Sequence, residues 1–122
     1  MIAGLIICAS LSVYDGDTIK CNGYRMRLLG EGKPFHSGID TPEIGKRAKC
    51  PQELSRGLAA KQRLHELLDD RKLRIVFGGS HDRAGRPLIN IYRADGSEVG
   101  KTLLNEGFAK SWKPRQRNDW CN

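Results

Sequence analysis

The chain has 122 residues, of which 39% are hydrophobic and 29% charged. It is therefore neither too short nor too polar to bury a hydrophobic core, and it fits one soluble globular domain over residues 1–122. Lys and Arg number 21 against 14 Asp and Glu, giving a net charge of +7. This excess favours a polyanionic partner such as nucleic acid, an anionic membrane or an acidic glycan, although a merely basic soluble protein would have the same charge.

The first predicted elements are three β-strands joined by tight turns. The residue pattern predicts strands over 5–13, 18–21 and 24–29. Asp15-Gly16 and Asn22-Gly23 are favoured hairpin signals between them. The apolar segment 1–12 has no Lys or Arg ahead of it and is shorter than a membrane span, so we predict a strand there rather than a signal peptide. A longer precursor whose leader has been removed remains an alternative.

The second half of the chain predicts two helices and two further strands. Residues 30–49 are predicted to be a loop, because Gly and Pro interrupt any helical or strand periodicity of the apolar residues. Pro51 opens a helix whose apolar stripe is Leu54, Leu58, Ala60, Leu64, Leu67 and Leu68. Gly57 weakens this helix or allows close packing. Two strands follow, one over 73–77, which Gly78-Gly79 is predicted to end, and one over 88–92. A second helix is predicted over 99–106, with Gly107 at its C′ position and Phe108 packed behind it. This order predicts a small antiparallel barrel with helices alongside, most simply an OB-like one.

The four cysteines are Cys8, Cys21, Cys50 and Cys121. They show no Cys-x-x-Cys spacing, which argues against a zinc finger. The turn near residue 15 would bring Cys8 close to Cys21, leaving Cys50 to pair with Cys121, while free buried thiols are the alternative. Disulfides would indicate a secreted or periplasmic protein, and free thiols a cytoplasmic one.

Two acidic motifs stand out against the basic background. One is Asp15-Gly16-Asp17-Thr18, and the other is Ile39-Asp40-Thr41-Pro42-Glu43. Pro42 fixes its own φ and restricts Thr41 to extended geometry, so the second motif is predicted to be a rigid, non-helical loop. Carboxylates gathered in rigid loops are suited to a hard divalent cation.

Five motifs in this order resemble the thermonuclease family, typified by staphylococcal nuclease. They are DGDT at 15–18, RLL at 27–29, IDTPE at 39–43, Asp82-x-x-Gly85-Arg86 and NEGFAK at 105–110. The resemblance covers about residues 8 to 114. It implies an α+β fold with a five-stranded OB-like antiparallel β-barrel and two to three flanking helices. It also implies a Ca²⁺-dependent phosphodiesterase that cuts DNA and RNA and leaves 3′-phosphates.

The resemblance assigns roles to particular residues. It implies Ca²⁺ ligation by the side chains of Asp17 and Asp40 and by the backbone carbonyl of Thr41. Catalytic roles are implied for Arg27, Glu43 and Arg86. The arginines would hold phosphate oxygens while the carboxylate activates water, which is what phosphodiester hydrolysis requires. We add as candidate substrate contacts Asp82, Arg83, Lys110, Trp112 and Lys113.

Several structural readings compete with these roles. Asp15 is expected to cap its turn, His36 and His81 to lie in surface loops, and Trp112 could serve packing alone, as could Trp120. A nucleic-acid-binding module without catalysis is the main alternative function, and a protein-interaction barrel is another. We expect a monomer with DNA and RNA as substrates and no membrane span.

One segment departs from the family pattern. In that pattern the strand that carries the first arginine leads directly into the acidic loop, with the sequence RLLGIDTPE. Here residues 31–38 separate Gly30 from Ile39. An excursion of this length has a modest entropic cost. We predict that it bulges outward beside the cleft, with Lys33 and His36 near the substrate. The C-terminal tail is also shorter than in the staphylococcal type, which argues against the final helix of the family. A Cys50–Cys121 link would replace that helix as an anchor.

Overall fold

The computed structural model describes residues 3–122, and Met1 and Ile2 at the start of the apolar segment lie outside the described residues. Its strands are β1 (Gly4–Ile6), β2 (Leu11–Asp15), β3 (Thr18–Cys21), β4 (Tyr24–Leu28), β5 (Gly38–Asp40), β6 (Arg74–His81), β7 (Pro87–Tyr92) and β8 (Lys110–Trp112). Its helices are α1 (Pro51–Leu67), α2 (Val99–Asn105) and a 3-10 turn (Gly45–Arg47). Over the described range, no helix has both the length and the apolar character needed to cross a bilayer.

Six strands form the main sheet, in the order β1-β6-β7-β4-β3-β2, and β5 pairs with β8 in a separate two-stranded sheet. β4 and β7 run parallel, while the other neighbours in the main sheet are antiparallel. Within residues 3–122 the edge strands β1 and β2 do not pair with each other, so the sheet is not closed. The α+β, OB-like class expected from the sequence is confirmed.

The N-terminal segment explains why the main sheet has six strands instead of the five expected. The single strand predicted over 5–13 is wrong, because the chain leaves β1 after Ile6 and resumes as β2 at Leu11. Ser10 is tied to the Asn22 turn, since the Asn22 amide donates to the Ser10 carbonyl at 2.8 Å and the Ser10 amide donates to Asn22 Oδ1 at 3.0 Å. β1 therefore pairs with β6, while β2 pairs with β3.

Two other boundaries differ from the sequence predictions. Gly78-Gly79 does not end its strand, because β6 continues to His81 through an irregularity in its pairing with β7. Glycine at such a bulge lets the strand bend without leaving the sheet. The loop predicted over 30–49 contains β5, which was missed because three residues are too few to show a period.

Both predicted helices are confirmed, with one correction to the first. The buried face of α1 consists of Glu53, Gly57, Ala60, Leu64 and Leu67. Leu54 and Leu58, which were predicted to belong to the stripe, are 37% and 51% exposed, because they lie one position around the helix from that face. α2 ends as predicted, with Gly107 at φ 84°.

The core lies between the inner face of the main sheet and the two helices. Its fully buried large side chains include Ile19, Met26, Leu28, Leu64, Leu67, Phe77, Ile89, Ile91 and Leu103. Because these residues come from β3, β4, β6, β7, α1 and α2, the core fixes the positions of the strand ends that carry the acidic motifs.

Candidate active site

Asp17 lies in the turn between β2 and β3, and only 5% of the residue is exposed. Its Oδ1 accepts a hydrogen bond from Thr18 Oγ1 at 3.1 Å, and its Oδ2 accepts one from the Thr41 amide at 3.3 Å. Burial alone would raise the pKa of Asp17, but the Arg27 guanidinium and these hydrogen bonds outweigh burial and lower it. Asp17 is therefore held as a carboxylate in a fixed orientation.

Ile39 and Asp40 of the second acidic motif lie in β5, and the rest of the motif forms the predicted non-helical loop that follows it. Glu53 of α1 fastens it, since Glu53 Oε2 accepts from the Glu43 amide at 3.0 Å and Oε1 accepts from the Lys49 amide at 2.9 Å. Gly57 allows the helix to approach closely, because a Cβ there would lie 2.8 Å from the Glu43 carbonyl oxygen and 2.9 Å from that of Pro42. The loop is thus clamped from its backbone, and this leaves its side chains to form the site.

Arg27 joins the two acidic motifs. Its Nη2 donates to the Ile39 carbonyl oxygen at 2.9 Å and lies 3.3 Å from Asp17 Oδ2. The same nitrogen lies 4.0 Å from Asp40 Oδ1. One cationic group therefore contacts both carboxylates that the family resemblance assigns to the metal.

Arg86, in the turn between β6 and β7, contacts Asp82 and Thr18. Its Nε donates to Asp82 Oδ2 at 2.7 Å, and its backbone amide donates to Asp82 Oδ1 at 2.8 Å. Its Nη1 donates to Thr18 Oγ1 at 3.4 Å. Because Thr18 in turn donates to Asp17, a continuous set of polar contacts links the two predicted catalytic arginines through Asp17.

Glu43 and Asp15 are the other two carboxylates of the acidic motifs. Burial raises the pKa of Glu43, and its ion pair with Arg47, 3.6 Å between Nε and Oε2, offsets this in part. Burial and the neighbouring Asp17 carboxylate raise the pKa of Asp15 to about 7. Asp15 Oδ1 also accepts from the Asp17 amide at 3.2 Å, so the predicted turn-capping role of Asp15 is confirmed.

Both predicted disulfides, Cys8–Cys21 and Cys50–Cys121, are present, and the free-thiol alternative is wrong. Disulfides are typical of oxidising compartments. The second one anchors the C-terminal segment beside the site, where Asn118 Nδ2 donates to Asp40 Oδ2 at 3.1 Å. Trp120 is 5% exposed, which confirms its packing role. No α-helix follows α2 within the described residues.

A cleft of about 690 Å³ opens beside the arginines. Five of the predicted site residues line it, namely Arg27, Asp82, Arg83, Arg86 and Trp112. The other predicted site residues do not line it, namely Asp17, Asp40, Thr41, Glu43, Lys110 and Lys113. The Lys110 ammonium instead lies 4.4 Å from the centroid of the Trp120 ring and donates to the Asp119 carbonyl at 3.0 Å.

The 31–38 segment leaves the chain and rejoins it at nearly the same point. A Cβ at Gly30 would lie 2.6 Å from Ile39 Cγ2, so the two ends of the excursion are in contact. Phe35 lines the cleft, whereas Lys33 and His36, which were predicted to lie near the substrate, are exposed and do not line it. The reason is the tight turn at 33–37, which directs Phe35 toward the cleft in their place.

Sequence reasoning missed three residues of the site. Glu53 lies three residues after Cys50, the N-cap residue of α1, a spacing typical of helix starts that could have identified it. Asn118 and Phe35 carry no such signal, because their contacts depend on the path of the tail and of the inserted segment.

The sequence resembles known proteins over most of its length. The family model described as staphylococcal nuclease homologue matches residues 36–120. The chain is 34% identical over 103 residues to the succinoglycan biosynthesis protein ExoI of Rhizobium meliloti (strain 1021), a match that covers 84% of this chain and 51% of that protein. The chain belongs to the staphylococcal nuclease homologue family, which confirms the resemblance read from the motifs. It spans about half the length of this curated relative.

Proposed function

We propose that this chain hydrolyses phosphodiester bonds of DNA and RNA in a Ca²⁺-dependent reaction that leaves 3′-phosphates. The observation that carries the proposal is the contact of Arg27 with both Asp17 and Asp40 at the edge of a cleft that Arg86 also lines. Membership of a nuclease family supports it. The name of ExoI refers to succinoglycan biosynthesis, so the support for a nucleic-acid substrate is the site itself.

The donor set fits a hard divalent cation. Asp17 and Asp40 offer carboxylate oxygens and Thr41 a backbone carbonyl, and Ca²⁺ prefers oxygen ligands. Positive charge is already accommodated there, since Arg27 Nη2 lies 3.3 and 4.0 Å from the two carboxylates. Residues 3–122 contain no group of three or more His, Cys, Asp or Glu side chains arranged to hold a metal, so water and substrate would have to complete the coordination. When bound, Ca²⁺ would offset the negative charge that develops on the phosphoryl group.

The two arginines would bind the phosphate. Among the described residues, the contacts of Arg27 all use Nη2, which leaves Nε and Nη1 for a phosphate oxygen. Arg86 is held through its Nε by Asp82, its Nη1 donates to Thr18 Oγ1 at 3.4 Å, and the residue lines the cleft. A guanidinium with a fixed plane can hold two phosphate oxygens, and it stabilises the transition state without reorganising.

Glu43 is the proposed general base. Its side chain is 41% exposed, so water can reach it. Burial raises its pKa, with Arg47 opposing the shift, and a raised pKa makes a carboxylate a better proton acceptor. Glu43 would remove the proton from the attacking water while Arg27 and Arg86 hold the phosphate.

A binding module without catalysis is the second candidate. One observation favours it: the Arg27 guanidinium itself contacts both proposed ligands. An arginine that stays in this position would neutralise the carboxylates in place of a metal, and the cleft would then bind nucleic acid without cutting it.

Three further properties belong to the same proposal. We expect residues 1–122 to behave as a single domain and as a monomer. The two disulfides favour a secreted or periplasmic location over the cytoplasm.

Incubation of single-stranded DNA and of RNA with the oxidised protein, in Ca²⁺ and in EGTA, tests the proposal. We expect cleavage in Ca²⁺ but not in EGTA, and products that carry 3′-phosphates. Arg86→Ala should greatly lower the cleavage rate. Arg71→Ala, which changes an exposed arginine outside the cleft, is the matched control. DNA that is bound but not cut in Ca²⁺ would establish the binding module instead.

A further inference from the structure

Phe35, at the tip of the 31–38 segment, occupies an unfavourable position. The residue is 55% exposed, and its φ is 64°, in the left-handed region that bulky residues rarely adopt. Its side chain lines the cleft that Arg27 and Arg86 border. Strained residues of this kind persist where the surrounding structure holds them, and they cluster at ligand-binding sites.

The segment does not need the Phe35 ring for its own fold. The turn is closed by other atoms: the Ser37 amide donates to the Lys33 carbonyl at 2.9 Å, and the Lys33 amide donates to Ser37 Oγ at 2.9 Å. The base of the segment is fixed where the Glu31 amide donates to Asn90 Oδ1 at 2.8 Å. A structural role therefore does not account for an exposed aromatic ring here.

The remaining lining of the cleft indicates what the ring would contact. Trp112 also lines it, held at the base of the segment because its register partner in β5 is Gly38. Four arginines line the cleft against a single acidic residue, and that residue is ion-paired: they are Arg27, Arg83, Arg86 and Arg115, with Asp82 bound to Arg86 at 2.7 Å. Aromatic rings beside arginines form the usual site for single-stranded nucleic acid, because bases stack on the rings while the arginines hold the phosphates.

We propose that Phe35 is a base-stacking residue. It would receive the base of a nucleotide whose phosphate lies at Arg27 and Arg86, which would make the 31–38 segment a determinant of specificity for unpaired nucleic acid. The inference rests on the proposed function for its substrate class but not for catalysis. The volume of the cleft, about 690 Å³, lies within the usual range for small-ligand sites. Bases in a duplex are stacked on one another and cannot enter such a site without unpairing.

The test measures binding of a short, fluorescently labelled single-stranded DNA by fluorescence anisotropy. The buffer contains EGTA, so that binding is measured without cleavage. Phe35→Ala is expected to weaken binding roughly five- to 150-fold, the range that stacking of one base supplies. Phe35→Tyr keeps a ring and is expected to bind like the unchanged protein. Tyr24→Ala is the control, because Tyr24 is also an exposed aromatic residue, 70% exposed, and does not line the cleft.

Two further ligands separate stacking from charge. An oligonucleotide of abasic sites carries the same phosphates, and a duplex has no unpaired base, so Phe35→Ala is expected to change binding of neither. An equal loss on the abasic strand, or no loss on the normal strand, would overturn the proposal.

Two further variants keep the test valid if Phe35→Ala disturbs the fold. Phe35→Gly relieves the left-handed backbone and is expected to keep or raise the thermal midpoint while losing binding as Phe35→Ala does. Phe35→Leu keeps an apolar side chain without a ring, and binding equal to that of the unchanged protein would contradict stacking. Hydrolysis in Ca²⁺ is measured separately, so a protein that shows the Phe35 effect without cleaving refutes the nuclease function alone.

Discussion

Asn118 Nδ2 donates a hydrogen bond of 3.1 Å to Asp40 Oδ2 across 78 residues of sequence. Burial raises the pKa of Asp40, and this hydrogen bond opposes that rise. Asn118 therefore orients a proposed Ca²⁺ ligand and favours its ionised form. The contact makes the C-terminal segment part of the site although it supplies no proposed ligand.

Replacing Asn118 by Ala is expected to raise the Ca²⁺ concentration needed for half-maximal cleavage by roughly tenfold, as for other residues that orient metal ligands. The rate at saturating Ca²⁺ should change much less, because Asn118 does not contact the phosphate site. Asn118→Ser, which keeps a hydrogen-bond donor, should restore part of the affinity, and the exposed Asn105→Ala is the control. An unchanged Ca²⁺ titration in Asn118→Ala would refute the positioning role.

The two disulfides are expected to differ in their contributions to stability. Cys50 and Cys121 are separated by 71 residues, and Cys8 and Cys21 by 13. Loop-closure entropy gives about 4 kcal/mol for the first link and about 3 kcal/mol for the second. Urea denaturation of the paired Cys→Ser variants measures both values. The Cys50/Cys121 variant should also need more Ca²⁺ for half-maximal cleavage, as Asn118→Ala does. A normal Ca²⁺ titration in that variant would show that the disulfide does not position the site.

Gly57→Ala is expected to destabilise the protein by about 1–3 kcal/mol, as overpacking does, although Ala favours helices. The added Cβ would lie 2.6 Å from Ile44 Cγ2 and within 2.9 Å of two carbonyl oxygens of the acidic loop. Ser55→Ala, on the exposed face of the same helix, is the control and should leave stability unchanged or slightly raised. Urea denaturation distinguishes the two, and a more stable Gly57→Ala would show that the loop yields.

Asp70 is expected to give the fold an acid-sensitive contribution. Hydrogen bonds from the amides of Lys72 at 2.8 Å and Ala94 at 3.1 Å lower its pKa below the usual 3.8. A lowered carboxylate pKa stabilises the fold above the unfolded-state value, and this contribution is lost as the pH falls through the folded-state value. Asp70→Asn should therefore be less stable near neutral pH, and the difference should shrink near pH 3. Asp69→Asn is the control, and a difference independent of pH would contradict the assignment.

Local patterns predicted much of the fold. Pro51 and the leucine spacing identified α1, and Gly107 identified the end of α2, because caps and periods act over a few residues. The strand over 5–13 was wrong because its division depends on Ser10 contacting Asn22. β5 was missed because its partner, β8, lies about 70 residues further along the chain.

The candidate site was predictable where motifs identify it and not where tertiary contacts build it. Asp17, Arg27 and Asp40 come together as the motifs imply. Glu53 and Asn118 join them through a helix face and a disulfide-anchored tail. The N-cap spacing of α1 could have identified Glu53, but no local sequence signal identifies Asn118. Lys110 was expected at the substrate because of its charge, but its partners are Trp120 and Asp119.

Cleavage of single-stranded DNA by Glu43→Gln at saturating Ca²⁺ tests the proposed nuclease mechanism most directly. Glu66→Gln, which changes an exposed glutamate paired with Arg63, is the matched control. Loss of the general base should lower the cleavage rate by at least about 100-fold while DNA binding is retained, and the control should cleave normally. Cleavage by Glu43→Gln at the rate of the unchanged protein would contradict the mechanism proposed here.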